Sequence, residues 1–184
     1  MCDDSRARIY FEATAGIATL PRMTDQQQKF LIRPTRPEDA AFLEDLLMRT
    51  YEGTWMPEMT AERDRQFRAS GKTAEYVRTR GNLFMVCEID GMPAGMADWE
   101  NDFIWALHVH PARQGQGVGG ALLAWMEAAI RDAGFGRARL ETDSFNKRSR
   151  QFYGKHGYVE IDTYPDEEWD SGFMTILLEK PLLA

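Results

Sequence analysis

The stretch that most constrains this chain is a glycine-rich corner between a strand and a helix. Leu107-His108-Val109-His110-Pro111-Ala112-Arg113-Gln114-Gly115-Gln116-Gly117-Val118-Gly119-Gly120 runs directly into Ala121-Leu122-Leu123-Ala124-Trp125-Met126. The apolar run before Pro111 reads as a strand, and the apolar spacing after Gly120 reads as an amphipathic helix. Glycines let a backbone turn tightly and bring its N–H groups close to a ligand. The first N–H groups of a helix lack internal partners, and the macrodipole adds partial positive charge there. A corner of this composition is suited to a phosphate group.

Three phosphate-binding patterns compete for it. The P-loop of nucleotide triphosphatases needs a Lys-Ser or Lys-Thr pair, which is missing. The dinucleotide fingerprint is met literally by Gly115, Gly117 and Gly120, with Glu141 near the acidic position expected about 20 residues on. Against it, Pro111 to Gln114 separate the strand from the first glycine. After Glu141 the chain also lacks the repeated strand–helix units of a doubly wound sheet. The third pattern fits better. Gln114-Gly115-Gln116-Gly117-Val118-Gly119 has the form Q-x-x-G-x-G, and further on stands Asn146-Lys147-Arg148-Ser149-Arg150-Gln151-Phe152-Tyr153-Gly154-Lys155-His156-Gly157-Tyr158. In that order and separation the two segments resemble the acetyl-CoA loop and the second motif of the GCN5-related N-acetyltransferase (GNAT) superfamily. The resemblance covers roughly residues 30–181.

The element pattern agrees. Phe30-Leu31-Ile32-Arg33 reads as a strand stopped by Pro34, and Thr35-Arg36-Pro37-Glu38 has the form of a capping box, with Thr35 as N-cap. Phe42, Leu43, Leu46, Leu47 and Tyr51 make the apolar stripe of the following helix. Charged helical stretches are expected around Thr60–Phe67 and Thr73–Thr79. Three strands then follow between Leu83 and Val109, joined at Asp90-Gly91 and Asn101-Asp102. Such short connections predict an antiparallel meander. The helix after the corner would lay the strand at Arg139–Thr142 parallel to Phe103–Val109, and two last strands close the sheet. The expected fold is α+β, a mixed and mostly antiparallel sheet of about seven strands with helices on both faces. The resemblance adds that its two central parallel strands splay apart.

Domain organisation is simple. At 184 residues the chain is long enough for one real core. Residues 1–28 show little periodicity and read as an N-terminal extension, with the acetyltransferase-like domain at 29–184. Met23 would make an ordinary start, so residues 1–22 are expected to lie outside the fold or to precede the true initiation site. A net charge of −7 argues against a nucleic-acid partner. No apolar run reaches the length of a membrane span. Cys2 and Cys87 have neither metal nor redox spacing, which makes a reducing cytoplasm the expected compartment.

The resemblance assigns roles. It implies acetyl-CoA as co-substrate and a small-molecule or peptide amine as acceptor, and it allows a homodimer. The Leu107, His108 and Val109 backbone would pair with the pantetheine amides and polarise the thioester carbonyl. The backbone from Gly115 through Gln116, Gly117, Val118, Gly119 and Gly120 would hold the pyrophosphate, with Arg113 and Gln114 beside it. Asn146 would bond the pantetheine arm by its place in the motif; a helix N-cap is its alternative use. Tyr153 stands where the family places its general acid, and a phenol can orient and protonate the leaving sulfur. A lysine-like amine must shed a proton to attack, about 4–5 kcal/mol uphill at neutral pH. For the base, the interior of the Phe103–Val109 strand offers no carboxylate. Glu100 is the first choice, ahead of Asp98, Asp102 and His108, and a water relay without a dedicated base is the alternative. His108 and His110 alternate on a strand but have no matching ligand pattern nearby, so no metal is expected. By the resemblance Tyr51, Trp55 and Met56 border the acceptor site, with plain cover of the core as the first alternative; the acidic Asp162–Asp170 connection reads as an ordinary solvated loop or as a second wall of that site. The competing reading from another class is a non-catalytic acyl-CoA-binding module.

Overall fold

The computed structural model describes residues 30–166 and 172–182. The expected extension, and the part of the acidic connection from Glu167 to Ser171, lie outside the described residues. A single seven-stranded sheet forms the frame, built from β1 (Leu31–Pro34), β2 (Met85–Ile89), β3 (Met92–Glu100), β4 (Phe103–Val109), β5 (Arg137–Asp143), β6 (Val159–Pro165) and β7 (Met174–Pro181). The strand order is β1-β2-β3-β4-β5-β7-β6, and every neighbouring pair is antiparallel except β4 with β5. The hairpin signals act as expected: Asp90 and Gly91 turn with φ of 53° and 73°, and Asn101 turns with φ of 56°.

Among the described residues five α-helices accompany the sheet: α1 (Ala40–Thr54), α2 (Ala61–Ser70), α3 (Lys72–Arg80), α4 (Val118–Asp132) and α5 (Lys147–Lys155). On one face Leu43 and Leu46 of α1 and Val77 of α3 pack with Phe84, Val86, Met96 and Ala106. On the other, Val118, Leu122, Leu123, Met126 and Ile130 of α4 and Tyr153 of α5 pack with Ala97, Ile104, Leu140 and Ile176. α4 lies close on β3 because Gly95 has no side chain. A Cβ there would stand 2.7 Å from the His108 carbonyl oxygen and 3.0 Å from Val118 Cγ1.

The capping box expected at Thr35 moves by one residue. The Thr35 hydroxyl donates instead to the Phe84 carbonyl at 2.7 Å, and the backbone N–H of Arg36 donates to Asp39 at 2.7 Å. Asp39 is drawn inward by Arg33, whose guanidinium bonds both of its oxygens and also the Glu88 carboxylate. A buried charge is retained only with such partners, so the ion triad outranks the local capping preference of Thr35.

Candidate active site

The central parallel pair is short. β4 and β5 are seven residues each, yet only Phe103↔Arg139 and Ile104↔Leu140 are in register. Beyond them each strand follows its outer partner: β5 stays with β7 as far as Asp143↔Thr175, and β4 stays with β3 as far as Val109↔Gly95. A bulge accompanies the parting. Asp98 faces Ala106 and Trp99 faces Ile104, so Trp105 is the extra residue on β4. A bulge bends its strand and breaks the alternation of faces. Ile104 packs on the α4 side, whereas Ala106 belongs to the α1 side and Leu107 and Val109 return to the α4 side. His110 N–H donates back to Ala94 on β3 at 2.9 Å. Backbone groups alternate in direction along a strand, which turns those of Val109 toward the gap.

The corner closes the end of this gap. Pro111–Arg113 forms one tight turn, and Gly115 and Gly117 take left-handed φ values of 76° and 95°. At Gly117 a Cβ would also press on the Phe30 ring at 3.2 Å. The first bond inside α4 runs from Ala121 N–H to the Gly117 carbonyl. The N–H groups from Gly117 to Gly120 therefore stand before the helix ladder, pointing out of its positive end. Gln114 acts as a clasp: its side-chain amide donates to the Val109 carbonyl at 3.2 Å. Gln116 reaches back to Ala112 at 3.3 Å. The Arg113 guanidinium makes no ion pair among the described residues.

α5 flanks the gap on the α4 side. Thr142, two residues past the last β4–β5 pair, donates to Ser149 at 3.0 Å and ties the helix to β5. Asn146 takes the N-cap position that the sequence left open for it, its side-chain oxygen accepting from Ser149 N–H at 3.1 Å. Tyr153 is buried, packed edge-on to Phe152 and Tyr158. Burial pushes its phenol above the ordinary range, so it carries its proton at neutral pH.

The three carboxylates considered for the base are committed elsewhere. Asp98 is fully buried and bonded by Arg80 at 2.8 and 3.0 Å and by the Tyr76 hydroxyl at 2.8 Å. Asp102 is gripped by Arg139 at 2.8 and 2.9 Å and by Arg137 at 3.2 Å. Glu100 lies opposite Phe103, at the closed end of the strand pair, more than half exposed and 3.6 Å from Arg80. The structure does not bring it to the gap.

What the sequence reading missed is Asp143. It ends β5 and lies three residues past the last β4–β5 pair. Its carboxylate accepts from the Trp55 indole N–H at 2.8 Å. Burial, with Asp166 nearby, raises its pKa. His108 stands at the same level on β4, its ring 6.4 Å from that of Trp55, and burial pushes its imidazole down to about 4. The only sequence signal for Asp143 was its place at a strand end beyond a helical crossover. His110 serves the turn, accepting from Ala112 N–H at 3.2 Å.

This is an α+β fold that opens a slot between two central parallel strands, with a helix N-terminus at its end. A family profile described as "Acetyltransferase (GNAT) family" matches residues 40–158. The chain belongs to that family, which makes it an acetyl-CoA-dependent N-acetyltransferase. Among solved structures it is similar to a GCN5-related N-acetyltransferase from Rhodopseudomonas palustris, with TM-score 0.69 and 22% identity, covering 82% of this chain and 94% of that one. PaiA N-acetyltransferase from Thermoplasma acidophilum in complex with coenzyme A gives 0.66 and 21%, covering 83% and 98%. A ribosomal-protein alanine N-acetyltransferase from Escherichia coli gives 0.60 and 20%, covering 84% and 95%. No curated protein matches. No helix among the described residues is long and apolar enough to cross a membrane.

Proposed function

We propose that the protein transfers the acetyl group of acetyl-CoA directly to a primary amine of a small molecule or peptide, in the cytoplasm. The observation that carries this is the joining of the β4–β5 gap to the N-terminus of α4. The gap offers strand backbone to the pantetheine amides, and Gly117–Gly120 offer N–H groups to the pyrophosphate. Arg113 adds a cation beside them. PaiA N-acetyltransferase binding coenzyme A on the same fold supports the assignment.

Attack is direct. The one described cysteine, Cys87, is buried in β2, and burial raises its thiol to about 11, where it is no nucleophile at neutral pH. In this reading the Leu107–Val109 N–H groups polarise the thioester carbonyl, the amine enters from the α1 side, and Tyr153 protonates the leaving sulfur. Asn146 keeps its amide N–H₂ for the pantetheine arm while its oxygen caps α5. Isothermal titration with acetyl-CoA tests the proposal, with Gly117→Glu as control and a thermal melt to show that the variant is folded. Micromolar binding by the wild type, lost in the variant, is expected. No binding, or equal preference for NAD, overturns it.

A further inference from the structure

On the α1 side of the gap three elements meet around one carboxylate. Trp55, at the end of α1, reaches across to Asp143 on β5 and lies beside His108 on β4. Asp143 is three residues past Leu140 on its strand; His108 is four past Ile104, with Trp105 as the bulged extra. Once the bulge is counted, the two side chains stand level on opposite banks of the slot. Ala138 and Leu140 face the α4 core, and side chains alternate along a strand. Asp143 therefore points to the α1 side, opposite Thr142 and α5.

We propose that Asp143 is the catalytic carboxylate of this enzyme, anchoring the acceptor as an alkylammonium and taking its proton, with Trp55 as the residue that positions it. This rests on the acetyltransferase reading above. Trp55 donates to Oδ2, and no other side chain among the described residues bonds the carboxylate. Neither ring nitrogen of His108 has a hydrogen-bond partner among the described residues, and neither belongs to the sealed, unpartnered polar atoms, which are Glu127 Oε1 and the Tyr158 hydroxyl. The slot thus presents one neutral imidazole and one carboxylate beneath an indole. Charge around it favours a cation. Glu141, one repeat back on the same face of β5, bonds the Tyr164 hydroxyl at 2.5 Å, and Asp166 adds negative charge near Asp143. An indole face also attracts ammonium groups.

The step balances. The ammonium gives one proton to Asp143, and the amine attacks the thioester carbon. As the C–S bond breaks, the sulfur takes a proton that Tyr153 supplies. The second proton on nitrogen leaves to solvent as the amide forms, Asp143 sheds its proton to solvent, and solvent restores Tyr153. One proton is released per turnover. Among the described residues the titratable groups on this side of the slot are His108 from β4, Glu141 of β5 with its Tyr164 partner from β6, and Asp166 beyond β6; Trp55 brings an uncharged indole from α1.

The test uses the full chain with spermidine, lysine and kanamycin as acceptors, and acetyl-CoA titration as a separate readout. Asp143→Asn is expected to lower kcat/KM about 100-fold or more while its acetyl-CoA affinity stays within threefold. Trp55→Phe removes the N–H donor that favours the ionised carboxylate, so the acid limb of its kcat/KM profile moves to higher pH. A merely structural Trp55 would leave the limb in place. Retention of activity within threefold in Asp143→Asn overturns the proposal, as does an unmoved limb in Trp55→Phe. A wild type that binds acetyl-CoA but acetylates none of the three amines also overturns it, leaving the family reading intact. Failure to bind acetyl-CoA would instead strike the reading beneath it.

Discussion

Gly95 lies so close beneath β4 that a Cβ would stand 2.7 Å from the carbonyl oxygen of His108. The obstacle is backbone, which cannot rotate aside, and Leu122 Cδ1 waits at 3.2 Å on the helix side. Gly95→Ala should therefore push α4 away from β3, at an overpacking cost of about 1–3 kcal/mol. Denaturant titration measures that loss. Because α4 carries the glycine corner, acetyl-CoA affinity should fall with it.

The Arg33–Asp39–Glu88 triad gives a second prediction. All three side chains are buried, and removal of Arg33 leaves two carboxylates without their cation. Arg33→Ala should cost about 3–5 kcal/mol. The Arg33 guanidinium lowers the pKa of Asp39. A lowered carboxyl stabilises the fold above its unfolded pKa of about 3.9 and loses that contribution as pH falls through the folded value. Wild-type stability should thus decline below about pH 4, and less of that decline should remain in Asp39→Ala. Melts across pH 2–6 would show it.

Tyr153→Phe keeps the ring that packs against Phe152 and Tyr158 and removes only the proton donor. If the hydroxyl serves the leaving sulfur, kcat should fall by about 10²–10⁴, with acetyl-CoA affinity unchanged by titration. An unaltered rate would remove Tyr153 from that role.

Asn146 separates two duties by substitution. Ser caps a helix about as well as Asn, so Asn146→Ser should melt within a degree or two of wild type. It lacks the amide N–H₂ proposed for the pantetheine arm, and acetyl-CoA should bind several-fold more weakly. Titration and a melt on one sample read both effects.

Glu100→Gln should leave the rate within about threefold. The carboxylate is exposed at the β3–β4 turn and faces Arg80, a surface pairing worth little. Steady-state kinetics with the acceptors named above would decide.

The parts of this molecule that were legible beforehand are the ones local pattern controls. The hairpins at Asp90-Gly91 and Asn101 follow from turn chemistry, and the strand–corner–helix unit follows from its glycines. The capping box was misplaced by one residue because Arg33, two residues ahead of the expected motif, recruits Asp39. Glu100, Asp98 and Asp102 were weighed because they directly precede β4 in the chain, whereas Asp143 stands at the end of β5, across the splayed pair. Trp55 and Asp143, 88 residues apart in the chain, meet only after α1 and β5 have both docked. No periodicity announces such a meeting.

Trp105 also makes the slot a matter of parity. With the extra residue, Ala106 turns to the α1 side although Ile104, two places earlier, faces α4, and Leu107 falls in with Ile104. Deletion of Trp105 would keep both banks as they are, because Ile104 and Ala106 would then alternate as neighbours; drawing Trp105 into the regular ladder would exchange them, sending His108 to the α4 side and Leu107 to the α1 side. Substitutions here change the furniture of the two rooms; register decides which room each residue is in.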